Sequence, residues 1–317
     1  MQQLNIIVPK RLMGERIDGV IAQMLPDYSR SKITAWIRSG ALLIGGKIVK
    51  PKDKVLGDEI ATLTIKTQQL NTWQAQSIAD IPLDIVFEDK DMIVLNKPAG
   101  LVTHPGAANW TGTLANMLLH FDPSLQQLER AGIVHRLDKN TSGLMVVARN
   151  ALSQKNLIEQ LQTHRVSREY SAIVYGHMIA GGTIDAPIGR HPTERVKQAV
   201  VNNGKAAITH YRVIERFAHH THVKAVLETG RTHQIRVHLS HIGHPLIADP
   251  TYGGKVRFPK QAQAQLKSTL RTLNRHALHA KKLRLTHPIS GNAMSWKVPL
   301  PEDLQHLLQV LSEFDAA

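Results

Sequence analysis

The sequence predicts an α+β protein in two parts. A small basic module spans residues 1–75, and a larger domain over 76–317 has a mixed, largely antiparallel sheet with flanking helices. Three observations predict this. The chain has 317 residues, about twice the ~150 of an average domain. Charge is uneven, with eleven Lys and Arg against six Asp and Glu up to position 75. Beyond residue 80, short apolar runs bounded by turn residues outnumber helical patterns without alternating regularly with them, which disfavours a doubly wound sheet.

In the first part, Ser29 or Ser31 can cap a helix whose apolar Ile33, Trp36 and Ile37 share one face, and Gly40 supplies its stop. Arg30, Lys32 and Arg38 flank that face. Strands are expected at 41–44 and 47–49, joined by the turn signal Gly45-Gly46. Lys47, Lys50, Lys52 and Lys54 crowd the next loop, and Gly57-Asp58 turns into a strand at 60–65. A polar stretch at about 67–82, opening with Thr67-Gln68-Gln69, reads as the linker.

In the second part, strands are expected at 83–87, 92–95, 143–148, 170–175, 209–214, 223–228 and 235–239, with another short one ending near Val134. Helices are expected at 114–120, 152–162, near 261–274, and over 301–314. The last has Pro301 in its first turn and Leu304, Leu307, Leu308, Leu311 and Phe314 at core spacing. Neither an internal repeat nor a low-complexity tail is found.

Composition removes several functional classes. There is no cysteine, hence no disulfide, thiolate metal site or thiol nucleophile, and a reducing cytoplasm is the expected location. No run approaches the roughly 20 apolar residues of a membrane helix, and the start lacks a signal-peptide apolar core. Thirty-nine Lys and Arg against 25 Asp and Glu give a net charge of +14, which favours a polyanionic partner.

The densest functional text is Gly132-Ile-Val-His-Arg-Leu-Asp-Lys-Asn-Thr-Ser-Gly143. Asp138 sits in a polar loop held at both ends by expected strands, a place where catalytic groups concentrate. Taken alone, the same residues read better as an Asx turn.

The run from His135 to Gly143, HRLDKNTSG, resembles the signature of the RluA-type pseudouridine synthases. Four further segments agree in order: Asn96-Lys97-Pro98-Ala99-Gly100, His104-Pro105-Gly106, Arg168-Glu169-Tyr170, and Thr229 through His238. The front of the chain resembles an S4-type RNA-binding domain in Ser29-Arg30-Ser31-Lys32, Gly40 and Gly57-Asp58. The resemblance implies an S4-like domain followed by a pseudouridine synthase catalytic domain, and an isomerase that turns uridine into pseudouridine in RNA. Nothing is oxidised or donated in that reaction, so no cofactor, metal or nucleotide is expected.

Residue by residue, the resemblance makes Asp138 the nucleophile or base at C1′. Arg236, on the expected strand, becomes its cationic partner, and Tyr170 the ring that stacks on uracil and serves the C5 proton. Ile235 becomes an apolar wall, Arg136 the side chain that fills the gap left by a flipped base, and His135 and Lys97 further substrate contacts. Arg30, Lys32, Arg38, Lys47 and Lys50 are the expected RNA contacts of the first part. The run Gly176-His177-Met178 through Gly189-Arg190-His191-Pro192 resembles the branch acting on large-subunit ribosomal RNA, which implies several uridines of the helix 69 loop. Ribosomal RNA, free or in an assembling particle, is then the partner of a monomer. The alternatives are a related synthase with another target, or an assembly factor that binds RNA without turnover.

Other signals are weaker. His219, His220 and His222 cluster, and His238, His241 and His244 recur at three-residue steps. No zincin spacing accompanies them, and Ser240, Ile242-Gly243 and Pro245 are expected to break any helix there. No nucleophile elbow, dinucleotide fingerprint or P-loop is present. The basic segments 190–205 and 255–275 fit phosphate tracking and a solvated face equally. Aromatic residues make up 4%, so phosphate and shape contacts should dominate over base-stacking platforms.

Overall fold

In the computed structural model, described here for residues 2–25, 30–65, 82–105, 111–194 and 196–316, the contacts divide the chain at Thr72/Trp73. The expected linker lies almost wholly outside the described residues, as do Ser29 and Gly106.

In the first unit, β1 (Gln2–Ile7) precedes two helices, α1 (Ile17–Met24) and α2 (Arg30–Arg38), and then β2 (Leu42–Ile44) and β3 (Ile60–Ile65). The strands pair antiparallel in the order β1-β3-β2. Ile33, Trp36 and Ile37 of α2 are buried with Ile17, Val20 and Ile21 of α1 against Leu42 and Leu63. The backbone N–H groups of Gly40 and Ala41 donate to the Ile37 and Trp36 carbonyls, and Gly40 has φ +72, the left-handed stop its sequence suggested. Beyond Gly45-Gly46 the expected strand is a single bridge, Ile44 to Lys47. The chain there, Lys50-Pro51-Lys52-Asp53-Lys54, has a proline and alternating charges that suit a loop.

The second unit begins with β4 (Ile85–Glu88), β5 (Met92–Lys97), α3 (Leu114–Phe121) and β6 (Ser142–Ala148). It continues with α4 (Ala151–Gln162), β7 (Ser167–Tyr175), β8 (Gly182–Asp185), β9 (Ile188–Arg190), β10 (Gln198–Val200), β11 (Ile208–Arg216) and β12 (His220–Leu227). Last come α5 (Gln234–His241), α6 (Ala264–Thr272), β13 (Leu278–Thr286), β14 (Ala293–Lys297) and α7 (Glu302–Ala316). A nine-stranded sheet runs β4-β5-β6-β13-β7-β12-β11-β8, with β14 on β13, while β9 and β10 pair separately. Only β6 with β13 is parallel, so the sheet is mixed and largely antiparallel.

The strands bury both faces. Met145, Val147, Tyr170, Ala172 and Val174 face one core with α3 and α5. Leu144, Val146 and Ala148 face another with Leu157 of α4, and Ile173 and Tyr175 pack with α6 and α7. Gly143, which ends the motif, has φ +117, and a Cβ there would lie 2.3 Å from the Ala280 carbonyl. Only glycine allows β13 to approach so closely.

Two expectations are corrected. The segment 235–239 is not a strand but the middle of α5. Ile235, Val237 and Leu239 alternate with polar residues as in a strand, yet all of 234–239 is buried, so no solvent face imposed a helical period. The helix also passes Ser240 and ends before Gly243 at φ +84. The strand expected to end at Val134 is instead a turn. Arg130, Ala131 and Gly132 have φ +54, +52 and +77, and only Ile133 bridges to Val147.

Candidate active site

The loop between that turn and β6 carries Asp138, and its backbone is tied on both sides. Thr103 Oγ1 donates to the Leu137 carbonyl at 2.7 Å, and the Gly100 N–H donates to the Lys139 carbonyl at 2.9 Å. The Lys97 ammonium, fully buried, donates to the carbonyls of Pro98, Leu101 and Lys139 at 2.7, 2.8 and 3.1 Å. Burial lowers its pKa to about 7, against the attraction of Asp138. Lys97 does not line the cleft, which corrects its expected substrate contact: its three donors are spent on fixing the loop.

Arg236 reaches Asp138 from α5, its Nη1 donating to Oδ2 at 3.0 Å. The rest of the guanidinium forks onto Asp249, Nε and Nη2 donating at 2.8 and 2.9 Å. The Asp249 side chain is fully buried and also accepts the Thr251 and Tyr252 N–H groups. Burial alone would lower the Arg236 pKa, but Asp249 and then Asp138 raise it. Burial likewise opposes the charge of Asp249, and Arg236 reverses it, holding that carboxyl below its usual range. A bidentate pair fixes orientation as well as charge, so one arm of Arg236 is held facing Asp138.

Around this pair lies a cleft of about 580 Å³, lined among others by His104, His135, Arg136, Asp138, Arg168, Tyr170, Thr229, Gly230, His233, Ile235 and Arg236. Tyr170 of β7 is 5% exposed and Ile235 is 3%, while Arg136 is exposed. Burial, with a smaller contribution from Asp138, raises the Tyr170 pKa, and Arg168 opposes it. His135 accepts the Val146 N–H on Nε2 at 3.1 Å, and burial lowers its pKa to about 3. The ring is therefore neutral, with its proton on Nδ1.

Four expected residues thus meet at the cleft around Asp138, namely Arg236, Tyr170, Ile235 and Arg136, with His135 on its wall. In the first unit, Arg38, Lys47 and Lys50 are exposed. Arg30 is spent partly on structure, donating with Arg16 to the buried Asp18 at 3.1 and 3.0 Å. Of Lys32 only the place on α2 is described.

Sequence reasoning assigned no role to Asp249, Tyr252 or His233, although His233 lies in the motif segment Thr229 through His238. His233 stands 3.9 Å from Asp138, and its Nδ1 meets the Tyr252 hydroxyl at 2.8 Å. Tyr252 packs its ring on Arg236, 5.0 Å from the guanidinium carbon. The text Asp249-Pro-Thr-Tyr-Gly-Gly reads as a turn, and Asp249 does cap one; nothing local marks its second role. Among the described residues, one cluster has metal-ligand spacing: Asp89, Asp91 and His287. His287 Nδ1 accepts the N–H groups of Ile289 and Ser290, so Nε2 carries the proton that bonds Asp89 and has no lone pair to offer a metal.

Comparison with known proteins agrees with this geometry. The family model for RNA pseudouridylate synthase matches residues 91–241, and that for the S4 domain matches 15–60. Ribosomal large subunit pseudouridine synthase D of Escherichia coli K12 is 52% identical over 98% of this chain and 94% of its own length. The protein of the same name in Pseudomonas aeruginosa is 51% identical over 96% and 95%. Among solved structures, human RNA pseudouridylate synthase domain containing 4 is 26% identical, covers 72% of this chain and 93% of its own, and has a TM-score of 0.56. Such agreement along nearly the whole length, with the motif residues gathered at one cleft, means that this chain belongs to the RluA-type family of RNA pseudouridylate synthases and is an isomerase with an S4 domain in front of its catalytic domain.

Proposed function

We propose that this enzyme converts uridines of large-subunit ribosomal RNA, several of them in the helix 69 loop, with Asp138 as the nucleophile or base at C1′. The observation that carries this reading is the Asp138–Arg236 pair at 3.0 Å on the cleft wall, beside Tyr170. The near-full-length likeness to large-subunit enzymes supports the substrate class.

A stacked uridine must first leave its helix, at a cost of a few kcal/mol. Arg136, exposed at the cleft, suits the gap, since a planar cation can stack on bases and bond phosphate. Tyr170 and Ile235 offer the flipped uracil a ring and an apolar wall. Arg236, itself held by Asp249, orients the Asp138 carboxylate toward C1′. The N1–C1′ bond breaks, the uracil turns, C5 bonds C1′, and the Tyr170 hydroxyl serves loss of the C5 proton. The first unit, with about residues 67–82 as a linker, adds phosphate contacts through Arg38, Lys47 and Lys50.

Site-resolved pseudouridine mapping tests this. Unmodified large-subunit RNA is incubated with the wild type and with Asp138→Asn, without metal or nucleotide. Pseudouridine in the helix 69 loop with the wild type alone is expected. Signal elsewhere replaces the target, and undiminished turnover by Asp138→Asn removes the carboxylate from the mechanism. Salt-sensitive binding without any turnover makes the protein an RNA-binding assembly factor.

A further inference from the structure

Three arginines are buried among the described residues, and two of them are neutralised. Arg236 has Asp249 and Asp138; Arg275 forks onto Asp303 at 2.6 and 2.8 Å. Arg168 is the exception. It is 8% exposed and has no carboxylate within ion-pair distance among the described residues. Its one side-chain hydrogen bond among the described residues, Nη2 to the Glu228 carbonyl, is 3.3 Å long, and its buried Nε has no partner there. A buried cation without an anion is costly. Burial opposes its charge, and the Tyr170 hydroxyl is the one group that favours it.

The surroundings show what it is kept for. Arg168 lies two residues before Tyr170 on β7, hence on the same face, and both line the cleft. Gly230, across from it, is a glycine where a Cβ would stand 2.6 Å from Arg168 Nη1, so the missing side chain leaves the guanidinium its place. His135 Nδ1 is also buried without a partner, and because Nε2 accepts from Val146 this nitrogen carries a proton. Both of these atoms, Arg168 Nε and His135 Nδ1, are closed off from the cleft. Arg168 Nη1, which faces Gly230, makes no hydrogen bond among the described residues, and the ligand that suits this arm of the guanidinium brings an acceptor. Phosphates would meet the exposed Arg130, Arg136 and Arg231 of the same cleft. The group that reaches a nearly buried donor beside Tyr170 is the flipped base, with carbonyls O2 and O4.

Building on the proposed function, we infer that Arg168 is a further catalytic residue whose guanidinium binds a uracil carbonyl and stabilises the negative charge of the detached base. When N1–C1′ breaks, its electron pair remains on the uracil, spread over N1, O2 and O4. C5 then bonds C1′, the C5 proton departs and N1 gains one, so the product is an isomer and Arg168 is unchanged. A donor aimed at charge that develops only in the reaction acts on rate rather than on RNA affinity.

The test is single-turnover kinetics and RNA affinity on unmodified ribosomal RNA for Arg168→Met, Arg168→Ala and Gly230→Ala. Arg168→Met should slow the reaction by about 10²–10³-fold, the effect of removing one such donor, with affinity kept. Free guanidinium ion at a non-denaturing concentration should raise the rate of Arg168→Ala and leave the wild type unchanged. Gly230→Ala, which keeps the charge and displaces it, should also slow the reaction with affinity kept; it decides the matter if the Arg168 variants do not fold. A wild-type rate in folded Arg168→Met or in Gly230→Ala overturns the inference, as does a loss confined to affinity. A wild type that forms no pseudouridine sinks the proposed function instead, so the two failures are told apart.

Discussion

The long sheet buries polar side chains on both faces and treats them in opposite ways. On the cleft face His135 is neutral, but several other groups keep their charge: Asp249 and Arg236 pair, Arg236 extends to Asp138, and Arg168 stands unpaired. On the other face a row of buried histidines is neutral. Ser142 Oγ bonds His279 Nδ1 at 2.9 Å across β6 and β13, and Ser171 Oγ bonds His222 Nε2 at 2.7 Å across β7 and β12. Burial lowers the pKa of His222, His279 and the neighbouring His220 to about 4. A polar group that only joins strands can stay neutral and avoid most of the desolvation cost. Charge survives burial where a second charge fixes it or where a substrate completes it.

The largest break in this contrast is Asp249→Ala. It leaves Arg236 buried with Asp138 as its one carboxylate, and removing one partner of a buried pair costs about 3–5 kcal/mol. Denaturant titration should show that loss, and pseudouridine formation should fall with it because Arg236 no longer holds Asp138. Stability within about 1 kcal/mol of wild type would mean that water or relaxation takes over the role of Asp249.

How far the sequence disclosed this arrangement depended on whether each function had a local pattern. Asp138, Tyr170, Ile235 and Arg136 lie in continuous motif text, and the structure gathers them at one cleft. The strands expected at 92–95 and 143–148 were legible as short apolar runs, and the helices expected at 114–120, 152–162 and 301–314 from their length and, for the last, its apolar spacing. Helix α5 was not, because burial on every side removed its polar face. Strand β13 was missed as well: its Lys281, Lys282 and Arg284 break the apolar run, yet it lies between β6 and β7. Asp249 lies outside the motif text, and Arg168 lies within it but received no role, for a deeper reason. Their importance lies in what does or does not stand opposite them, and no spacing along the chain encodes that.

The neutral row makes the next prediction. In the unfolded chain these histidines titrate near 6.5, whereas in the fold they resist protonation to about 4. The unfolded state therefore binds protons first as pH falls. Stability is full above about 6.5, declines between about 6.5 and 4, and levels off below. Each histidine contributes up to about 1.4 kcal/mol per pH unit in that window. Denaturant midpoints at pH 7 and pH 5 should differ accordingly, and His222→Gln, which can still bond Ser171, should reduce the difference. An unchanged pH dependence in that variant would mean that His222 is charged in the fold.

The smallest effects belong to the exposed cations of the first unit, where charge is neither buried nor neutralised. Arg38→Ala and Lys47→Ala remove exposed side chains and should leave stability unchanged. Each should reduce the salt slope of RNA affinity by about one if it meets a phosphate. Arg30→Ala should behave differently, because its guanidinium also bonds Asp18, whose pKa is lowered to about 2 chiefly by Arg16, with Arg30 contributing against the cost of burial. Arg30 is largely exposed, so its removal should cost less than about 1 kcal/mol. That contribution should be present above the ordinary carboxyl range and vanish as pH falls toward 2, because protonated Asp18 no longer attracts a cation. If Arg30→Ala instead leaves stability untouched and lowers the salt slope like its neighbours, Arg16 alone neutralises Asp18, and Arg30 belongs with the RNA-facing cations.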